Sequence, residues 1–72
     1  MDKMKLRIIM MLNGENNSDL ANLLHITPQT VSAKLNETNG AEFTQSEIFA
    51  IKDHYELTPD QVDEIFFNKK VS

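Results

Sequence analysis

The sequence has no cysteine, only two glycines and two prolines, and no apolar run long enough to span a membrane. Without cysteine there is no disulfide, no thiolate nucleophile and no thiolate metal site. That composition fits a cytoplasmic location. Two isolated glycines do not make a phosphate-cradling loop. Positive charge is scarce as well: seven basic residues stand against eleven acidic ones, a net charge of −4. A chain that grips DNA by itself carries a basic footprint, because phosphate neutralisation supplies most of the non-specific affinity. This shortage bears on function more than on fold.

Seventy-two residues allow one domain with one small core. Residues 1–72 therefore read as a single domain, with Lys69 to Ser72 a frayed tail. Met4 to Asn13 reads as the first helix, with Lys3, Lys5 and Arg7 near its start. It lacks a small-residue cleavage site, so it is a folded helix and not a signal peptide. Ile8 to Leu12 are apolar without interruption, and five successive positions go right round a helix. Either neighbouring helices bury this segment from several sides, or part of it is a subunit or partner surface. Asn13–Gly14 then supplies a left-handed stop.

The remaining helices are marked by their starts. Asn16, Asn17 and Ser18 compete as N-cap of the second helix, with Asp19 in its first turn, and the helix runs to about Leu24. Thr27 caps the third helix, about Pro28 to Asn36, and Pro28 takes the first position, where its missing N–H is harmless. Glu37 to Glu42 is a polar loop containing Asn39–Gly40. Thr44 and Glu47 form a capping box stapled by Phe43, opening a fourth helix to about Tyr55 that buries Ile48, Ile51 and either Phe49 or Tyr55. Thr58–Pro59–Asp60–Gln61 repeats that logic for a fifth helix to about Asn68, with Val62, Ile65 and Phe66 inward. There is no strand alternation and no internal repeat. The fold class is all-α.

Asn17 to Asn36, read as NSDLANLLHITPQTVSAKLN, holds two short apolar-periodic segments around a tight break. Small Ala21 and apolar Leu20, Leu24, Ile26, Val31 and Leu35 are the set needed to cross two helices closely. With DLANLLHITPQTVSAKLN, FTQSEI and DEIFF, the chain resembles the lambda-repressor-like, or Cro-type, helix-turn-helix family over most of its length. It is most similar there to small antirepressor-type regulators of temperate phages. The resemblance implies a compact five-helix domain with its helix-turn-helix at about 17–36, working in the host bacterial cytoplasm. The family usually has glycine in the turn, where this chain has His25. A left-handed histidine there implies local strain of roughly 1 kcal/mol.

In the family the third helix lies in the major groove. Carried over by position, Gln29, Thr30 and Ala33 face bases, with Ser32 and Lys34 alongside. Gln29 is able to bond adenine N6 and N7, and Ala33 to meet a thymine methyl. Asn17 and Thr27 are candidate phosphate contacts. Read without the family, Gln29 and Thr30 are simply exposed first-turn residues, and most acidic residues are caps or solvated faces. Between Asn13 and Glu42 the single basic residue is Lys34, set against Glu15, Asp19, Glu37 and Glu42. Operator binding by the chain alone is therefore expected to be weak. The same acidity suits a partner with a basic reading face, and the resemblance implies the phage repressor protein as that partner in a heteromer. A Cro-type homodimer that binds operator DNA directly is the second reading. No enzyme is expected, and no metal or cofactor: His25 and His54 lack triad-like or ligand-spaced neighbours in sequence.

Overall fold

The computed structural model describes residues 1–67, and over them the chain is all-helical, with no strand. Five helices follow in order: α1 (Lys3–Leu12), α2 (Asn17–Leu24), α3 (Pro28–Leu35), α4 (Gln45–Tyr55) and α5 (Pro59–Phe66). A single 3₁₀ turn, Thr38–Gly40, interrupts the polar loop between α3 and α4. The expected fifth-helix end at Asn68 and the tail from Lys69 lie outside the described residues.

Each helix begins where a side chain accepts from its first free N–H groups. Asp2 caps α1 and Thr27 caps α3. Reciprocal capping boxes open α2 (Asn16 with Asp19), α4 (Thr44 with Glu47) and α5 (Thr58 with Gln61). Among the three competitors for α2, Asn16 prevails because only it has a carboxylate three residues on that reaches back to its own N–H, at 2.8 Å.

Three helix ends share one design. Gly14, His25 and Glu56 adopt positive φ, and the following residue's N–H reaches the carbonyl five residues back. Glu15 N–H donates to Met10 O, Ile26 N–H to Ala21 O and Leu57 N–H to Lys52 O, at 2.9–3.0 Å. One residue later the next helix is capped. This recurrence is local and conformational, so the amino-acid types do not display it.

Every helix contributes to one core. Leu6, Leu20, Val31, Leu35, Ile51 and Ile65 are all but inaccessible, and among the described residues no polar or charged one is buried with them. Tyr55, not Phe49, turns inward from α4, and Phe49 stays exposed. Phe66 is half-buried, its ring edge-on to Phe43 at 5.9 Å. The N-terminus is tied down by Asp2 N–H donating to Ile65 O at 2.7 Å.

Neighbouring helices do not bury the apolar run of α1 from several sides. Met10 is in the core and Ile9 is half-buried, but Ile8, Met11 and Leu12 are 44%, 69% and 78% exposed. The domain has too few helices to wrap α1, so only the Leu6–Met10 side is covered.

Candidate nucleic-acid and partner interface

The α2–turn–α3 unit is held by its own apolar wedge, with Leu20, Ala21, Leu24, Val31 and Leu35 in the core. His25 occupies the turn at φ 59°, ψ 41°, left-handed, with its side chain exposed. Burying Val31 and Leu35 fixes which side of α3 looks out. At about 100° per residue, Gln29, Ala33 and Asn36 lie opposite them, with Thr30 and Ser32 on the flanks.

Most of the polar groups on this face are already engaged. Thr27 Oγ1 accepts from Thr30 N–H at 3.1 Å and lies 2.8 Å from Thr30 Oγ1, so both hydroxyls serve the cap. Asn36 Nδ2 donates to Ser32 Oγ at 3.4 Å. Gln29 is exposed, and its amide makes no hydrogen bond among the described residues. Of the residues placed on this helix by sequence, Gln29 is the one with a free recognition group.

Lys34 does not stand alongside Gln29 and Ala33. It lies three positions past Val31, on the flank that turns back toward the body of the domain. Its Nζ donates to Glu47 Oε1 at 2.6 Å and sits 5.9 Å from the centre of the Phe43 ring. The side chain is 14% exposed. Glu47 Oε1 also accepts from Thr44 N–H at 2.8 Å, so one carboxylate caps α4 and neutralises the lysine. Burial pushes the Glu47 carboxyl up, but the Lys34 and Thr44 bonds outweigh it and hold it below the usual range.

The basic start of α1 partly compensates. Lys3 Nζ donates to Asn36 Oδ1 at 2.7 Å, which places a cation at the C-terminal end of α3. Lys5 is paired with Glu64. Arg7 is exposed and borders a shallow depression at the start of α2 with Met10, Glu15, Asn16, Asn17 and Ser18. The phosphate candidate Asn17 therefore has a guanidinium nearby, but Glu15 shares the depression and the Asp19 carboxylate sits at the same helix start. Thr27 is on a different element, the cap of α3, and is not brought to this depression.

A second cluster was not legible in the sequence. The Glu15 carboxylate lies 3.0 and 3.1 Å from His54 Nε2 and accepts from Tyr55 Oη–H at 2.7 Å, tying the α1–α2 junction to the end of α4. The Tyr55 bond first, and His54 next, hold the Glu15 carboxyl below the usual range. Burial, then the Glu15 bond, push the Tyr55 phenol well above its ordinary value, so it stays a donor. The cluster works as a clamp. No group of three or more His, Cys, Asp or Glu suited to a metal ion occurs among the described residues.

These two carboxylates give a pH dependence of definite sign. A carboxyl whose folded pKa lies below its unfolded value of about 4.5 stabilises the fold above that pH. That contribution is lost as pH falls through the folded value. The melting temperature is therefore expected to drop on acidification below about pH 5. In a Glu15→Gln/Glu47→Gln variant the drop should be shallower; an unchanged slope in calorimetry would remove these two groups as its cause.

Unpaired acidity dominates the rest of the surface. Among the described residues Glu42, Asp53, Glu56, Asp60 and Asp63 are exposed and form no ion pair. Four of them flank the α4–α5 junction. Comparison with family models, with curated proteins and with solved structures finds no match to this chain.

Proposed function

We propose that the chain is a small helix-turn-helix regulator of the lambda-repressor-like kind that acts by gripping another DNA-binding protein. In this reading it is a modulator of repression: it forms a heteromer with a phage repressor and inactivates or redirects that repressor's operator binding. The observation that carries the reading is the Lys34–Glu47 pair. It removes the one positive charge of the helix-turn-helix and leaves α3 an outward face of Gln29 and Ala33. Such a face makes little of the phosphate-neutralising contribution on which stand-alone operator binding depends. The free carboxylates at the α4–α5 junction complement the basic surface that any repressor must present to DNA.

Operator gel shifts with and without the cognate repressor test this. The repressor's footprint is expected to weaken or move when the chain is added, while the chain alone leaves the operator free. Nanomolar, steeply salt-dependent binding by the chain alone would sink the proposal and leave the Cro-type homodimer standing. That second reading keeps one supporting feature, the Gln29 amide, and it makes Gln29→Ala costly on DNA by about 1–3 kcal/mol.

A sharper check acts on the lysine. Glu47→Gln keeps the capping box, because glutamine serves at the third helical position as glutamate does. It frees Lys34. Non-specific DNA binding by this variant is expected to become more salt-dependent, its log–log slope steepening by about 1. An unchanged slope would mean that the Lys34–Glu47 pair is not what withholds the chain from DNA.

A further inference from the structure

We propose that Asn39 is a site of spontaneous covalent modification: in the folded chain it deamidates, while Asn13 is protected. Both glycines of the sequence follow an asparagine, at Asn13–Gly14 and Asn39–Gly40. That pairing is open to the reaction because glycine has no Cβ to obstruct its own nitrogen. The Gly40 nitrogen gives up its proton and bonds to Asn39 Cγ, and Nδ2 takes up a proton and leaves as ammonia. Water then opens the cyclic imide at one of its two carbonyls. Opening at Cγ gives aspartate; opening at the main-chain carbonyl gives isoaspartate, whose main chain runs through Cβ and Cγ.

The two pairs are alike in sequence and unlike in the fold. Both asparagines are exposed, and both glycine nitrogens are held in turns: Gly14 N–H donates to Met11 O at 3.0 Å and Gly40 N–H to Glu37 O at 3.2 Å. The difference lies in the reacting amide and its frame. Asn13 Nδ2 donates to Ile9 O at 2.8 Å, and Asn13 N–H is bonded to the last turn of α1. Glu15, just beyond, donates its N–H to Met10 O at 2.9 Å, and its carboxylate is fixed by His54 and Tyr55. Bringing Gly14 N to Asn13 Cγ therefore requires the end of α1 to come apart. The Asn39 side chain makes no hydrogen bond among the described residues. It sits in the 3₁₀ turn Thr38–Gly40, which has no buried residue and no side-chain cap. Glu37, Asn39 and Gly40 are all left-handed, at φ 53°, 54° and 79°, and the first two carry a Cβ that this region disfavours. A turn so thinly held opens locally at small cost. The new carboxylate falls between exposed Glu37 and Glu42, and isoaspartate lengthens the main chain just ahead of buried Phe43. The result is a slow, one-way ageing of the α3–α4 loop, independent of what α3 binds.

Peptide mapping of the full chain held in mildly alkaline buffer tests this. Mass spectrometry reads the amide-to-acid exchange, and labelling by isoaspartyl methyltransferase reads the isoaspartate. In native buffer the products at residue 39 should accumulate roughly tenfold or more faster than those at residue 13. In concentrated urea the two sites should convert at closely similar rates, because each is then an unfolded Asn–Gly pair. Asn39→Gln should form no new acid at that position, since glutamine closes its larger ring far more slowly. Equal rates in native buffer, a faster reaction at Asn13, or an Asn39 that stays intact while the urea sample converts would each overturn the proposal. So would a tenfold gap that persists in urea, which would assign the order to sequence and not to the fold.

Discussion

Leu20→Ala is expected to leave the domain largely unfolded at ambient temperature. Leu20 is fully inaccessible, sits in α2 and belongs to the core to which all five helices contribute. Truncating a buried leucine costs about 2–5 kcal/mol, the spread reflecting how far the site collapses onto the cavity. A single core in a domain of this size rarely supplies more than about 3–5 kcal/mol in total. The two ranges overlap, so one substitution removes most or all of the stability. Urea titration followed by circular dichroism measures it. Leu12→Ala is the matched control: the same atoms leave a side chain that is 78% exposed, and the expected change stays within about 0.5 kcal/mol. If Leu20→Ala retained a cooperative transition close to that of the parent chain, the core would not be the source of the domain's stability.

The contrast between those two leucines marks what could be read in advance. Helix starts were legible because their chemistry is local. Thr27–Pro28, Thr44 with Glu47 and Thr58 with Gln61 each complete their hydrogen bonds within three residues. Asn16 with Asp19 carried the same signal, a carboxylate three residues after the cap, but in sequence three neighbouring caps competed and the structure selects Asn16. Long-range pairs were not legible. Glu47 reads locally as a cap residue, and nothing near it in sequence announces that it also holds Lys34 thirteen residues away. Glu15 joins groups thirty-nine and forty residues further on. Counting charges left α3 one lysine, and could not tell that Glu47 pairs with it. The apolar run of α1 was ambiguous for another reason. Periodicity tells which side of a helix is apolar, but covering a second side depends on how many helices the domain has to spare.

His25→Gly combined with Glu56→Gly is expected to raise stability by about 1–2 kcal/mol, and each kcal/mol in a domain of this size moves the melting temperature by roughly 4–8 °C. The three junctions supply their own comparison. Gly14, His25 and Glu56 hold the same left-handed position, at φ 69°, 59° and 54°. A Cβ at Gly14 would meet nothing within 4 Å, so it is φ and not crowding that favours glycine there. A residue with a Cβ at such a position is disfavoured by roughly 1–2 kcal/mol. Glycine recovers that, less about 0.5–1 kcal/mol for the extra freedom it gives the unfolded chain. The net gain is about 0.5–1 kcal/mol per site, and junctions on different helix pairs should add. Neither His25 nor Glu56 uses its side chain in a hydrogen bond or ion pair among the described residues, so nothing offsets the gain. Calorimetry of the two single variants and the pair tests this, with alanine at the same positions as the control that keeps the Cβ and the strain. If alanine stabilised as much as glycine, the strain would lie in the histidine and glutamate side chains. If glycine lowered the melting temperature, His25 would be holding the helix-turn-helix together through a contact other than its backbone, and the turn would need a different account.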